Sequence, residues 1–76
     1  MRIVPGDIFL KMPTGTRFRE VNLNNNKPFG PILTKTGNRT ADIGDRVIGY
    51  YFKYPDGEES SACMPCPSAC KNAIID

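Results

Sequence analysis

Histidine is absent from this chain of 76 residues. Its absence excludes triads built on histidine and any imidazole acid or base. A glycine-rich phosphate loop and a paired metal-binding carboxylate motif are missing too. Asp42 and Asp45 lie close together, but on a polar stretch they read as turn residues and solvated charge. The expectation is a protein that is not an enzyme. No apolar run approaches the roughly 20 residues that cross a bilayer. The first residues, Met1-Arg2-Ile3-Val4-Pro5-Gly6-Asp7, carry neither the apolar run nor the cleavage site of a signal peptide. The sequence therefore predicts no membrane association and a cytoplasmic location, where thiols normally stay reduced.

Long helices are lacking as well. Seven prolines and seven glycines punctuate the chain so often that no long helix fits before residue 66. A chain of this size forms one domain, 1–76, and buries only about 60% of the surface its unfolded form exposes. Its core supplies on the order of 3–5 kcal/mol, so a metal, crosslink or partner would add materially to stability. With 39% hydrophobic and 24% charged residues the composition is that of a folded globular chain. The net charge of +2 is too small to identify a polyanion partner, yet it is unevenly distributed. Met1 to Lys53 holds nine Lys/Arg and four Asp/Glu, whereas Tyr54 to Asp76 holds one Lys and four acids.

What is present is short β-compatible segments between turns. Strands are expected over Ile8–Met12, Arg17–Leu23, Ile32–Thr36, Arg46–Tyr54 and Glu58–Ala62. The segment Arg46–Tyr54 is the strongest, rich in β-branched and aromatic residues. Ile48, Tyr50, Phe52 and Tyr54 share one of its faces, with Val47, Tyr51 and Lys53 on the other. Pro55-Asp56-Gly57-Glu58 is the turn of a hairpin. In Arg17–Leu23 the apolar positions alternate badly, and a bulge near Glu20 would bring Phe18, Val21 and Leu23 to one side. Asn24–Pro31 and Gly37–Asp45 read as loops. From Pro67 a short helix is expected, with Ala69, Cys70, Ala73 and Ile74 on one face. The fold class is mostly β: a small five-stranded barrel or sandwich with a short C-terminal helix, residues 62–76 forming the cysteine-containing turn and that helix. Pro5-Gly6-Asp7-Ile8 ahead of a strand resembles the opening turn of SH3-like barrels.

All three cysteines fall within "SSACMPCPSACKN": Cys63, Cys66 and Cys70. Cys63-Met64-Pro65-Cys66 resembles a thioredoxin-type redox motif, but no βαβ unit precedes it. As zinc ligands the three thiolates leave a fourth position that only oxygen or another chain could fill. The remaining reading is structural, since a free cysteine packs as a small hydrophobe. No cofactor is expected, with zinc as the alternative.

Arg17-Phe18-Arg19, Lys27-Pro28-Phe29 and Tyr50–Tyr54 interleave basic and aromatic residues. Single-stranded nucleic acid is bound by such combinations, bases stacking beside phosphate-neutralising cations. Gly49-Tyr50-Tyr51-Phe52 resembles the aromatic strand of RNA-binding sheets, although Tyr51 stands where a small residue is usual and Lys53 where valine is. Candidate contact residues are Arg17, Phe18, Arg19, Lys27, Phe29, Tyr51 and Lys53. Tyr and Arg also concentrate at protein docking hot spots. The leading expectation is protein–protein docking in an adaptor, accessory or inhibitor role. A nucleic-acid-binding β-barrel and a metal-binding domain are the alternatives.

Overall fold

A computed structural model describes residues 1–44 and 46–75. Its elements are β1 (Arg2–Pro5), α1 (Gly6–Leu10), β2 (Arg17–Asn22), β3 (Lys27–Thr40), β4 (Val47–Lys53), β5 (Glu59–Cys63), a 3-10 turn (Pro67–Ala69) and β6 (Lys71–Ile74). The strands form one antiparallel sheet in the order β1-β6-β2-β3-β4-β5. An open six-stranded sheet thus stands in place of the five-stranded barrel or sandwich, for its outermost strands β1 and β5 are not paired with each other.

Two elements differ in kind from expectation. Ile8–Met12 is not a strand: the chain turns at Pro5 into α1, which buries Gly6, Phe9 and Leu10. That spacing is a helical face, and Ile8 is left on the outside. The opening turn of an SH3-like barrel needs a strand at this point, and α1 replaces it. The C-terminal helix is reduced to the 3-10 turn, with Pro67 at its start as anticipated. Beyond it Cys70 is extended, and β6 inserts between β1 and β2, pairing Asn72 with Val4 on one side and Glu20 on the other. Two rows of free backbone groups outweigh the short segment's weak helical preference.

The hairpins follow the sequence more closely. Val47–Lys53 and Glu59–Cys63 pair as expected, across a turn in which Gly57 adopts φ 93° and Asp56 Oδ1 accepts from the Glu58 N–H. Strand β3 is longer than the Ile32–Thr36 segment and absorbs parts of both flanking loops. Its prolines sit where pairing is irregular or ending: Pro28 beside the hairpin tip, and Pro31 in a register shift opposite Arg19. The expected bulge therefore lies where β2 was irregular, but the extra residues belong to β3. Val21 is buried, yet outside the main core, and Leu23 is exposed. Asp45, the end of the second expected loop, lies outside the described residues.

The sheet curls around α1. Phe9 from the helix meets Phe18 and Tyr50 at ring distances of 4.6 and 4.9 Å, and Phe52 packs against Phe18, Tyr50 and Tyr54. Val4, Leu10, Leu33, Met64 and Ile74 complete the cluster. Phe52 is buried as expected, whereas Ile48 is only half-buried. Phe18, expected at a binding surface, is wholly enclosed. The alternation of β2 itself sends Phe18 to the side opposite Arg17 and Arg19.

Lys35 shares the Leu33 side of β3 and is buried. Its ammonium donates to the carbonyls of Phe9, Leu10 and Met12 at 3.2, 2.9 and 2.7 Å, and stands 5.3 Å from the Phe9 ring centroid. A helix leaves its last carbonyls unsatisfied, and here one side chain supplies three donors to α1 and the residues just after it.

Gly49 is fixed by close approach. A Cβ there would collide with the Ala62 carbonyl on β5, whereas one at Gly37 would meet Tyr51 Cδ2 at an ordinary 3.8 Å. Gly49→Ala is expected to cost about 1–3 kcal/mol, as overpacking does. Gly37→Ala should leave the urea midpoint nearly unchanged. Equal midpoints for the two variants would contradict this packing of β4 on β5.

Candidate binding surfaces

Cross-strand register collects several of the candidate residues on the outward side of the sheet. Arg17, Thr34 and Lys53 are direct neighbours across β2, β3 and β4, with Glu59 next on β5. Directly opposed residues project to the same side, as do residues two apart along a strand. Tyr51 therefore joins Lys53, opposite Gly37 and Ser61. Arg19 joins Arg17 and anchors its Nε on the Gly30 carbonyl at 2.9 Å. A further row consists of Arg39, Gly49 and Cys63. Arg39 reaches across β4, where Nη1 donates to Cys63 Sγ at 3.2 Å.

Four cations and one tyrosine thus share a face on which Glu59 is the sole acid in these registered rows. Tyr51 is 45% exposed, and Ile3, Ile32 and Ile43 are among the other exposed apolar side chains. Lys27 and Phe29 do not join the face. Phe29 lies eight positions before Gly37 on β3, roughly 25 Å of extended strand away from Tyr51. Arg39 was missed by sequence reading because its stretch looked like loop. Continuation of β3 to Thr40 is what brings it in.

The three cysteines are free and sit in different settings. Cys63 is exposed at the end of β5 and bonded to Arg39. Cys66 is exposed before the 3-10 turn, its Sγ 3.8 Å from Ser68 Oγ. Cys70 is half-buried and packs against the core. Among the described residues no three Cys, His, Asp or Glu side chains converge to hold a metal ion. A helix from Pro67 would set Cys66 and Cys70 one turn apart, but a 3-10 turn followed by β6 takes its place. Among the described residues, too, no helix is long and apolar enough to cross a membrane.

The chain matches no protein-family model, no curated protein and no solved structure.

Proposed function

We propose that this chain is a non-enzymatic binding domain that docks through the outward face of β2–β4 onto an acidic protein surface. The observation that carries the reading is the registered row Arg17–Thr34–Lys53, with Arg19, Arg39 and Tyr51 beside it. Arginine and tyrosine are the residue types on which docking energy concentrates. Cations around such an anchor steer an acidic partner and speed its association. Single-stranded nucleic acid is the weaker fit. It needs successive aromatic platforms, and of the expected aromatics Phe18 is in the core and Phe29 is far along β3.

The test compares the wild-type chain with Tyr51→Ala and with Arg17→Gln/Lys53→Gln, using a protein captured from nuclease-treated lysate and then purified. Tyr51→Ala is expected to weaken that pair by about 2 kcal/mol, roughly thirtyfold. The double charge variant should chiefly slow association and flatten its salt dependence. An oligothymidylate serves as the competing probe. Tight binding to it, with a log–log salt slope near −0.7 per phosphate contact, would replace docking by the nucleic-acid reading.

A further inference from the structure

Adjoining that face at Cys63, a cleft of about 180 Å³ opens between β2, β6 and the segment after β5. Its walls include Glu20, Leu23, Tyr50, Met64 and Asn72. Glu20 and Asn72 are direct cross-strand neighbours. Asn72 is only 2% exposed; its Nδ2 donates to Tyr50 Oη over a long 3.5 Å, and its Oδ1 has no hydrogen-bond partner. Buried polar atoms rarely stay unpaired, and each exception calls for a cause. Oδ1 has almost no surface open to water as the chain stands, so a donor seated in the cleft that Asn72 lines reaches it only with a small shift of the cleft wall.

The other groups narrow what that donor is. No hydrogen bond or ion pair engages the Glu20 carboxylate among the described residues. Lys71 also lines the cleft, but its ammonium is held by Asn26 Oδ1 at 3.1 Å. Burial raises the pKa of the Tyr50 phenol, the Asn72 bond opposing and the charges of Glu20 and Cys70 adding to it. Tyr50 accordingly stays neutral, and Oη retains a lone pair for a further donor. The walls present a carboxylate, an amide oxygen and a phenol oxygen, with Leu23 and Met64 offering apolar surface between them.

We propose that this cleft binds a primary alkylammonium group, its N–H donors directed to Glu20, Asn72 Oδ1 and Tyr50 Oη and its first methylenes against Leu23 and Met64. An ammonium carries three donors and no acceptor, which matches three acceptors, and a charge-assisted bond to Glu20 adds strength. The group belongs either to a free short-chain amine or to a lysine side chain of a partner peptide.

The test is a two-dimensional amide NMR titration of the intact chain with n-butylammonium, N-acetyl-lysine-methylamide, tetramethylammonium and 1-butanol. Saturable shifts of the Asn72 side-chain amide and the Glu20 backbone amide are expected with the first two probes and not with the last two. Tighter binding of the lysine derivative assigns the site to a peptide side chain, and tighter binding of butylammonium to a free amine. Glu20→Gln keeps the side-chain shape and should weaken binding about tenfold or more, as loss of a hydrogen bond to a charge does. Leu23→Ala, at an exposed position, should weaken n-butylammonium more than methylammonium. The proposal is overturned if n-butylammonium gives no saturable shift at tens of millimolar. Equal binding by 1-butanol, or by Glu20→Gln in a chain whose spectrum remains folded, overturns it as well.

Discussion

Phe18→Ala is expected to lower stability by about 3–5 kcal/mol, the range for truncating a large buried aromatic. Phe18 is fully enclosed and stands at the centre of the ring cluster, 4.6 Å from Phe9, 5.5 Å from Tyr50 and 6.2 Å from Phe52. Its removal leaves a cavity shared by β2, β4 and α1, which such short elements have little means of closing. A domain of this length holds on the order of 4–11 kcal/mol in total. The loss would therefore remove a large share of that stability and displace population toward the unfolded state. Urea denaturation of the wild-type and variant chains measures the difference. The same experiment on Phe52→Ala should give a loss of similar size, since Phe52 makes three ring contacts of its own. An unchanged midpoint with loss of partner binding would instead identify Phe18 as a surface anchor and contradict this core.

The second large effect is expected at Lys35. Lys35→Met keeps most of the side-chain volume but leaves the carbonyls of Leu10 and Met12 without a donor and that of Phe9 with the Met12 N–H alone. A hydrogen bond to a charged group contributes about 1.5–3 kcal/mol, and an orphaned buried acceptor costs a comparable amount. Relief of the buried charge offsets part of this. A net loss of about 2–4 kcal/mol follows, and at about 4–8 °C per kcal/mol it should appear as a large fall in Tm. A variant as stable as the wild type would show that the three carbonyls do not depend on Lys35.

Alkaline pH gives the same residue a second signature. Burial lowers the pKa of Lys35 from 10.5. Between that lowered value and 10.5 the unfolded chain keeps a proton that the folded chain has released, so stability rises with pH in this window. Tyr50 acts in the opposite direction. Burial raises its pKa above 10.0, so the unfolded chain loses the phenol proton first and stability falls as pH climbs past 10.0. Lys35→Met should retain only the falling limb, and Tyr50→Phe only the rising one, in urea midpoints measured across the alkaline range.

Sequence reading succeeded where a local period was long enough to declare itself. In Val47–Lys53 the β-branched and aromatic residues marked the strand, and the two-residue period of a strand put Tyr51 and Phe52 on opposite faces. Ile8–Met12 offered five residues and no such period, and the helical spacing of Gly6, Phe9 and Leu10 begins one turn earlier. Strand β6 could not be read locally at all, because β1 and β2 select its conformation from far along the chain. The candidate contact residues divide in the same way, in placement. Arg17, Arg19, Tyr51 and Lys53 came together because alternation and register both act on short paired strands. Composition groups Phe18 with Arg17 and Arg19, but strand alternation turns it inward, away from them. Glu20, Tyr50 and Asn72 come from three strands, and no spacing in the sequence announces their cleft.

The order of the strands also governs when this chain can fold. Arg2 opposes Ile74 and Pro5 opposes Lys71, so β1 has no sheet partner until β6 has been made. During synthesis β2, β3, β4 and β5 can pair as successive hairpins while the outer edge of β2 stays open. Contacts that close such long loops form slowly, and an unpaired strand edge invites pairing with another chain in the meantime. Arrival of β6 supplies partners to β1 and β2 in a single step. The nascent sheet is therefore most exposed to aggregation in the interval before β6 becomes free to pair.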